Sequence, residues 1–156
     1  MTDQAALLRA MMASRRPAPV EPSGPPTLVI GSGKGGVGKS VVSVLCAQRL
    51  ASEGRRVLLV DGSQNLGNLH VLLGLTRAAR LEHLLADAVP ARELIVPVQE
   101  QLWLLPSDSG AEGLYALPSV DRARLHHRLS TLYDDFDAVV IDAKGKKIIP
   151  GLVDTH

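Results

Sequence analysis

Apolar residues fall along this chain in two kinds of cluster. Four are short continuous runs: Leu28-Val29-Ile30, Val57-Leu58-Leu59-Val60, Leu102-Trp103-Leu104-Leu105 and Ala138-Val139-Val140-Ile141. Each is bounded by a turn former or a carboxylate, namely the glycines after Ile30, then Asp61, Pro106 and Asp142, and such runs predict buried strands. Between them the apolar positions recur at helical intervals. Lys39 to Glu53 puts Val42, Leu45, Cys46, Arg49 and Leu50 on one side and meets Gly54 as a stop. Ser119 to Tyr133 turns Leu125, Leu129, Leu132 and Tyr133 inward, and Leu81 to Ala88 predicts a shorter helix. Uninterrupted apolar strands alternating with amphipathic helices predict an α/β fold with a largely parallel sheet and right-handed crossovers.

The N-terminal part is organised differently. Asp3 to Ala13 predicts a short helix with Ala6, Leu7, Leu8 and Met11 on its apolar stripe and Thr2 or Asp3 as cap. Arg15-Arg16 then leads into Pro17, Pro19, Pro22, Pro25 and Pro26, a density of proline that excludes helix and predicts an extended linker. The expected organisation is a helix at 1–14, a linker at 15–26, one domain at 27–143 and an atypical tail at 144–156.

Composition narrows this picture only modestly. The 156 residues are 46% hydrophobic and 21% charged, which suits a globular domain with a real core. A net charge of +1 gives no global reason to expect nucleic acid or an acidic membrane surface. No apolar run approaches the roughly 20 residues that span a bilayer, and the N-terminus lacks a signal-peptide apolar region. The lone Cys46 cannot form an internal disulfide; it reads as a buried small residue in a reducing cytoplasm. His126-His127 are adjacent and so do not share a helix face, which argues against a metal site. Trp103 reads as core, Arg122, Arg124 and Arg128 as a solvated helix face, and His70 has no assigned role.

The chemistry is concentrated in one loop. Gly33-Lys34-Gly35-Gly36-Val37-Gly38-Lys39-Ser40 fits G-x-x-x-x-G-K-[ST] in full, between a predicted strand and a predicted helix. Glycines let consecutive backbone N–H groups turn toward phosphate oxygens, and the helix that follows adds its positive dipole end. In such a loop Lys39 neutralises the β- and γ-phosphates of ATP, and the Ser40 hydroxyl ligates Mg²⁺. Gly31, Gly33 and Gly36 also satisfy the dinucleotide fingerprint G-x-G-x-x-G, with Asp61 ending the next strand. That fingerprint does not require the Lys39-Ser40 pair and leaves Asp142 without a role, so the phosphate-loop reading is preferred. Asp142, after four apolar residues, matches the Walker B pattern of a carboxylate that orients Mg²⁺ from a strand end.

Lys34 adds a class signal. Lys34-Gly35-Gly36-Val37-Gly38-Lys39-Ser40 resembles the deviant Walker A motif of the MinD/ParA family of P-loop ATPases. The resemblance runs on through Asp61 to Leu75, Leu104-Leu105-Pro106 and Phe136-Asp137 to Asp142. It implies a three-layer P-loop NTPase-like fold, ATP and Mg²⁺ as cofactors, and an ATP-sandwiched homodimer in which Lys34 reaches the partner's phosphates. Asp3-Gln4-Ala5-Ala6-Leu7-Leu8-Arg9 resembles the leader helix of the flagellar branch of that family, the FlhG, FleN and YlxH type. Gly110, Gly113 and Leu114 also look like that branch. This resemblance implies a switch that regulates flagellar number or placement by stimulating a signal-recognition-type GTPase through the leader helix. The alternatives are a ParA-like partitioning ATPase and a non-hydrolysing nucleotide-binding adaptor.

Two departures from the family pattern bear on activity. After the second strand the family has D-x-D-x-G-L, whereas this chain reads Asp61-Gly62-Ser63-Gln64-Asn65-Leu66, with Ser63 in place of the second aspartate. The resemblance assigns that aspartate to the attacking water, so Ser63 predicts weak hydrolysis with nucleotide binding retained. Beyond Asp142-Ala143 the family continues with further strands. Here Lys144 to His156 follows, with Pro150-Gly151-Leu152-Val153-Asp154-Thr155-His156 resembling the start of an amidohydrolase. The expectation is a fold truncated after the Walker B strand, with one sheet edge uncovered.

Overall fold

The computed structural model describes residues 24–63, 67–76, 81–85, 89–107 and 118–144. Its elements in chain order are β1 (Thr27–Ile30), α1 (Lys39–Ser52), β2 (Val57–Ser63), α2 (Leu69–Leu72), β3 (Val96–Gln99), β4 (Leu102–Leu105), α3 (Ser119–Tyr133) and β5 (Ala138–Lys144). Two 3₁₀ turns, Leu81–Leu85 and Ala91–Leu94, precede β3. The leader and most of the linker, residues 1–23, and the tail at 145–156 lie outside the described residues.

The four apolar runs all become strands of one sheet, ordered β1-β5-β2-β4-β3. β1, β5, β2 and β4 run parallel, and β3 closes the far edge antiparallel to β4. Because successive strand residues point to opposite faces, each run feeds two cores. Leu58, Val60, Leu105, Val139 and Ile141 meet Leu125, Leu129 and Leu132 of α3 on one face. Val57, Leu59, Leu102, Leu104 and Val140 meet Val44, Ala47 and Ala51 of α1 on the other. The result is the three-layer α/β/α arrangement, and it explains why β2 and β5 carry no polar residue before their C-terminal ends.

Several expectations are corrected. α1 turns Ser43, Val44, Ala47 and Ala51 to the sheet; of the expected stripe of Val42, Leu45, Cys46, Arg49 and Leu50, Leu50 packs half-buried against that core, while Val42, Leu45 and Arg49 are exposed. Leu45 is 58% exposed and Val42 46%, while Cys46 is half-buried. Both stripes have helical spacing; the small residues win because they let the helix backbone lie close on β5 and β2. Leu28-Val29-Ile30 is not fully buried either. β1 stands at a sheet edge, and Leu28 is 45% exposed. The short helix expected at Leu81 to Ala88 is a 3₁₀ helix over Leu81–Leu85, with 86–88 outside the described residues. Arg128 does not belong to a solvated face: it is half-buried and donates to the carbonyls of Leu84 (2.9 Å) and Val89. It thereby satisfies two backbone acceptors.

β3 and α2 were not expected. Ile95 to Gln99 contains Pro97, which cannot donate to a ladder and is tolerated because β3 is an edge strand. Trp103, expected in the core, is half-buried against it, edge-on to Phe136 with ring centroids 5.6 Å apart. At the end of the sheet away from the phosphate loop, Arg56 and Asp137 tie β2 to β5. The guanidinium donates to Asp137 at 2.9 Å and the Arg56 backbone N–H at 2.8 Å.

Candidate functional site

The parity of the strands decides where the polar chemistry lands. In β5 Val140 faces α1, so Asp142 two residues on faces α1; in β2 Val57 and Leu59 face α1, so Asp61 does too. Asp61 and Asp142 are register partners on neighbouring strands, and both are buried. They lie at the C-terminal ends of parallel strands, the edge at which open α/β sheets bind ligands.

The phosphate loop starts at the same edge, from β1. Gly36 and Gly38 have φ of 71° and 85°, left-handed values that a side chain rarely adopts. A Cβ at Gly35, Gly36 or Gly38 would meet nothing within 4 Å, so the loop presents bare backbone to open space. Gly38 caps α1 without a side-chain hydrogen bond, and the first turn carries no acidic residue. The N–H groups at the helix start are therefore uncovered by side chains, and the dipole's positive end is not offset by a local carboxylate. Lys39 folds over the loop, its Nζ donating to the Lys34 carbonyl at 3.0 Å. The Lys34 N–H is in turn held by Ser32 Oγ at 3.1 Å, and Lys34 itself is exposed.

At the foot of the loop the Ser40 hydroxyl donates to Asp142 Oδ2 at 2.6 Å. The fold thus brings together Ser40 and Asp142, the two residues expected to hold the cation, across 102 positions of sequence. The sequence reading missed a third participant. Ser43, one turn further along α1, places its hydroxyl 3.1 Å from Asp142 Oδ1 and 3.0 Å from the Lys39 carbonyl. The available signal was a single serine among Val41, Val42, Val44 and Leu45, three residues after Ser40 and so on its face.

Asp61 sits beside this group. Its Oδ2 accepts the Leu69 N–H at 3.2 Å. Gly67 lies so close that a Cβ there would fall 2.8 Å from Asp61 Oδ2 and 2.4 Å from the Ser107 carbonyl. Ser107, buried after β4, and the Gly67 contact are further features that the sequence did not disclose; the Ser107 hydroxyl has no hydrogen-bond partner among the described residues. Ser63 is the last residue of β2, in register with Lys144. His126 and His127 lie on α3, half-buried and exposed respectively, and His70 on α2 has a buried Nδ1.

These residues fit a nucleotide with a hard cation. A carboxylate and a hydroxyl are the oxygen donors that Mg²⁺ takes when phosphates and water complete its shell. Among the described residues no group of three or more His, Cys, Asp or Glu forms a protein-only metal cage.

Comparison with known proteins agrees with this geometry. Residues 26–147 match the family described as AAA domain. Antiactivator FleN of Pseudomonas aeruginosa is 35% identical over 115 residues, covering 74% of this chain and 41% of FleN. Septum site-determining protein MinD of Bacillus subtilis is 34% identical over 122 residues, covering 74% of this chain and 43% of MinD. The chain belongs to the MinD/ParA family of P-loop ATPases. It spans about two-fifths of the length of these curated relatives. Among solved structures, cobyrinic acid a,c-diamide synthase of Mycobacterium smegmatis with a bound ATP analog and magnesium aligns with a TM-score of 0.69 at 29% identity. That alignment covers 82% of this chain and 55% of the synthase. No helix among the described residues is long and apolar enough to cross a membrane.

Proposed function

We propose that this chain binds ATP with Mg²⁺ at Gly33–Ser40 and works as a MinD-like nucleotide switch that regulates flagellar number or placement through a partner GTPase. The observation that carries the nucleotide reading is the Ser40–Asp142 contact of 2.6 Å at the base of an open glycine loop. Gly33, Lys34, Gly35, Gly36, Val37 and Gly38 supply backbone N–H groups to phosphate oxygens, and Lys39 neutralises the charge that gathers there. Ser40 and Asp142 hold the cation, whose chemistry is to offset phosphate charge. Asp61, tied to the Leu69 N–H, links the site to the segment that follows β2. Exposed Lys34 is free to reach a second copy's nucleotide in a homodimer. The flagellar part of the reading is supported by the similarity to FleN and by the Asp3–Arg9 segment, and it covers a larger protein than the portion matched here.

Calorimetric titration with ATP and Mg²⁺ tests the site. Lys39→Ala removes charge-assisted hydrogen bonds and is expected to weaken binding about tenfold to a hundredfold. Equal affinities for both proteins would end the phosphate-loop assignment. Deleting residues 1–16 is expected to abolish stimulation of the partner GTPase while ATP binding persists; no stimulation by the undeleted chain favours the partitioning alternative. Ser63 supports slow turnover, because a hydroxyl is a far weaker base than a carboxylate. Ser63→Asp should raise the steady-state ATPase rate, and robust hydrolysis by the unmodified chain would contradict this account of Ser63.

A further inference from the structure

Asp142 receives hydroxyls from two serines of one helix face, and they are not equivalent. Ser40 borders the open loop and is half-buried; Ser43 is fully buried. We propose that Ser43 is a positioning residue for the cation site: it fixes Oδ1 of Asp142, leaving Oδ2 to exchange the Ser40 hydroxyl for a divalent cation. The proposal rests on the reading of Ser40 and Asp142 as cation ligands.

Packing alone does not call for a hydroxyl at this position. Ala47 and Ala51 occupy the same face of α1 and lie against the same sheet, so alanine fills such a place. Serine is the poorer helix former, and its hydroxyl is rewarded only through hydrogen bonds. The geometry supplies two acceptors for its one proton, the Lys39 carbonyl at 3.0 Å and Asp142 Oδ1 at 3.1 Å. An ionised carboxylate is the stronger acceptor. Should Asp142 turn, the proton returns to the Lys39 carbonyl, so the buried hydroxyl is never orphaned.

The consequence concerns the Ser40 bond. Ser40 Oγ and Asp142 Oδ2 are only 2.6 Å apart, a hydrogen bond that must be given up if both oxygens serve one cation. Without Ser43 the carboxylate would then lose its side-chain donors from α1 at once and be free to rotate. With Ser43 it keeps one oxygen anchored, and the other stays aimed at the loop.

ADP titrations of the full chain, across a series of Mg²⁺ concentrations and in EDTA, test this without hydrolysis. Ser43→Ala is expected to raise the Mg²⁺ concentration needed for half-maximal gain in ADP affinity about tenfold, with coincident affinities in EDTA. Ser43→Thr keeps the hydroxyl and should keep the wild-type Mg²⁺ dependence. If Ser43→Ala does not fold, Ser43→Cys, close in volume but a weak donor, is read in the same way. Wild-type Mg²⁺ dependence in the alanine or cysteine variant overturns the proposal while leaving the nucleotide site intact. An equal shift in the threonine variant also overturns it, since volume rather than the hydroxyl would then be responsible. If the wild-type chain binds no ADP in either buffer, the nucleotide reading itself fails and this inference falls with it.

Discussion

Gly67 is the position at which one added carbon meets the most resistance. Its Cβ would fall 2.4 Å from a backbone oxygen of Ser107 and 2.7 Å from the Ser107 hydroxyl, with a buried carboxylate on the same side. Backbone cannot swing away as a flexible side chain can, so Gly67→Ala should destabilise by about 1–3 kcal/mol. Urea unfolding followed by the fluorescence of Trp103, the single tryptophan, measures this; an unchanged midpoint would mean that the loop yields. Asp137 provides a pH test. The Arg56 side-chain hydrogen bond, followed by its backbone N–H, holds the Asp137 carboxyl below its ordinary value. A lowered carboxyl stabilises the fold above the ordinary value, about 3.9, and that stability is lost as pH falls through the lowered one. The difference in unfolding midpoint between wild type and Asp137→Asn should therefore be largest near neutrality and shrink below about pH 4. A difference constant from pH 7 to pH 3 would contradict the pairing. Residues bound into a local motif were legible: Gly33 to Ser40 and Asp142 announce themselves by spacing. Ser43 was not, because its partner stands 99 positions away and only the register of β5 brings the two together.

Among the elements, α1 shows why a helical pattern is not yet an orientation. Val42 and Leu45 belong to a stripe of helical spacing, yet both are exposed. The sheet instead takes Ser43, Val44, Ala47 and Ala51, since the helix starts at the phosphate loop and must lie close to β5. The two registers make opposite predictions. Ala47→Leu should cost about 1–3 kcal/mol by overpacking, whereas Leu45→Lys should change stability by no more than about 0.5 kcal/mol. The reverse order, in thermal or urea melts, would restore the rejected face. Strands were read more reliably, because β2, β4 and β5 are buried on both sides and need no choice of face. β3 escaped notice because Pro97 interrupts its run and its role is that of an edge. Arg128 escaped because its acceptors, the carbonyls of Leu84 and Val89, are backbone atoms, which carry no sequence signature.

For the molecule as a whole, the α/β class and parallel sheet followed from the apolar runs, whereas the strand order did not. Placing β5 between β1 and β2 is what seats Asp142 beside both Asp61 and the start of α1. The two carboxylates are thus carried by the inner strands β5 and β2, beside the phosphate loop that leaves β1. Backbone amides of Val57–Val60 and Val139–Ile141, buried in β2 and β5, should exchange with solvent deuterium only through global opening. A ligand that binds only the folded state lowers the population of that opening in proportion to its excess over Kd. ADP with Mg²⁺ at about 100 times Kd should slow those amides about a hundredfold, equivalent to about 2.7 kcal/mol. Unaltered exchange in the presence of bound ADP would show that the central strands open without releasing it. Deuterium uptake at β2 and β5 thus becomes a direct scale of nucleotide affinity, readable on mutants too slow in turnover to assay.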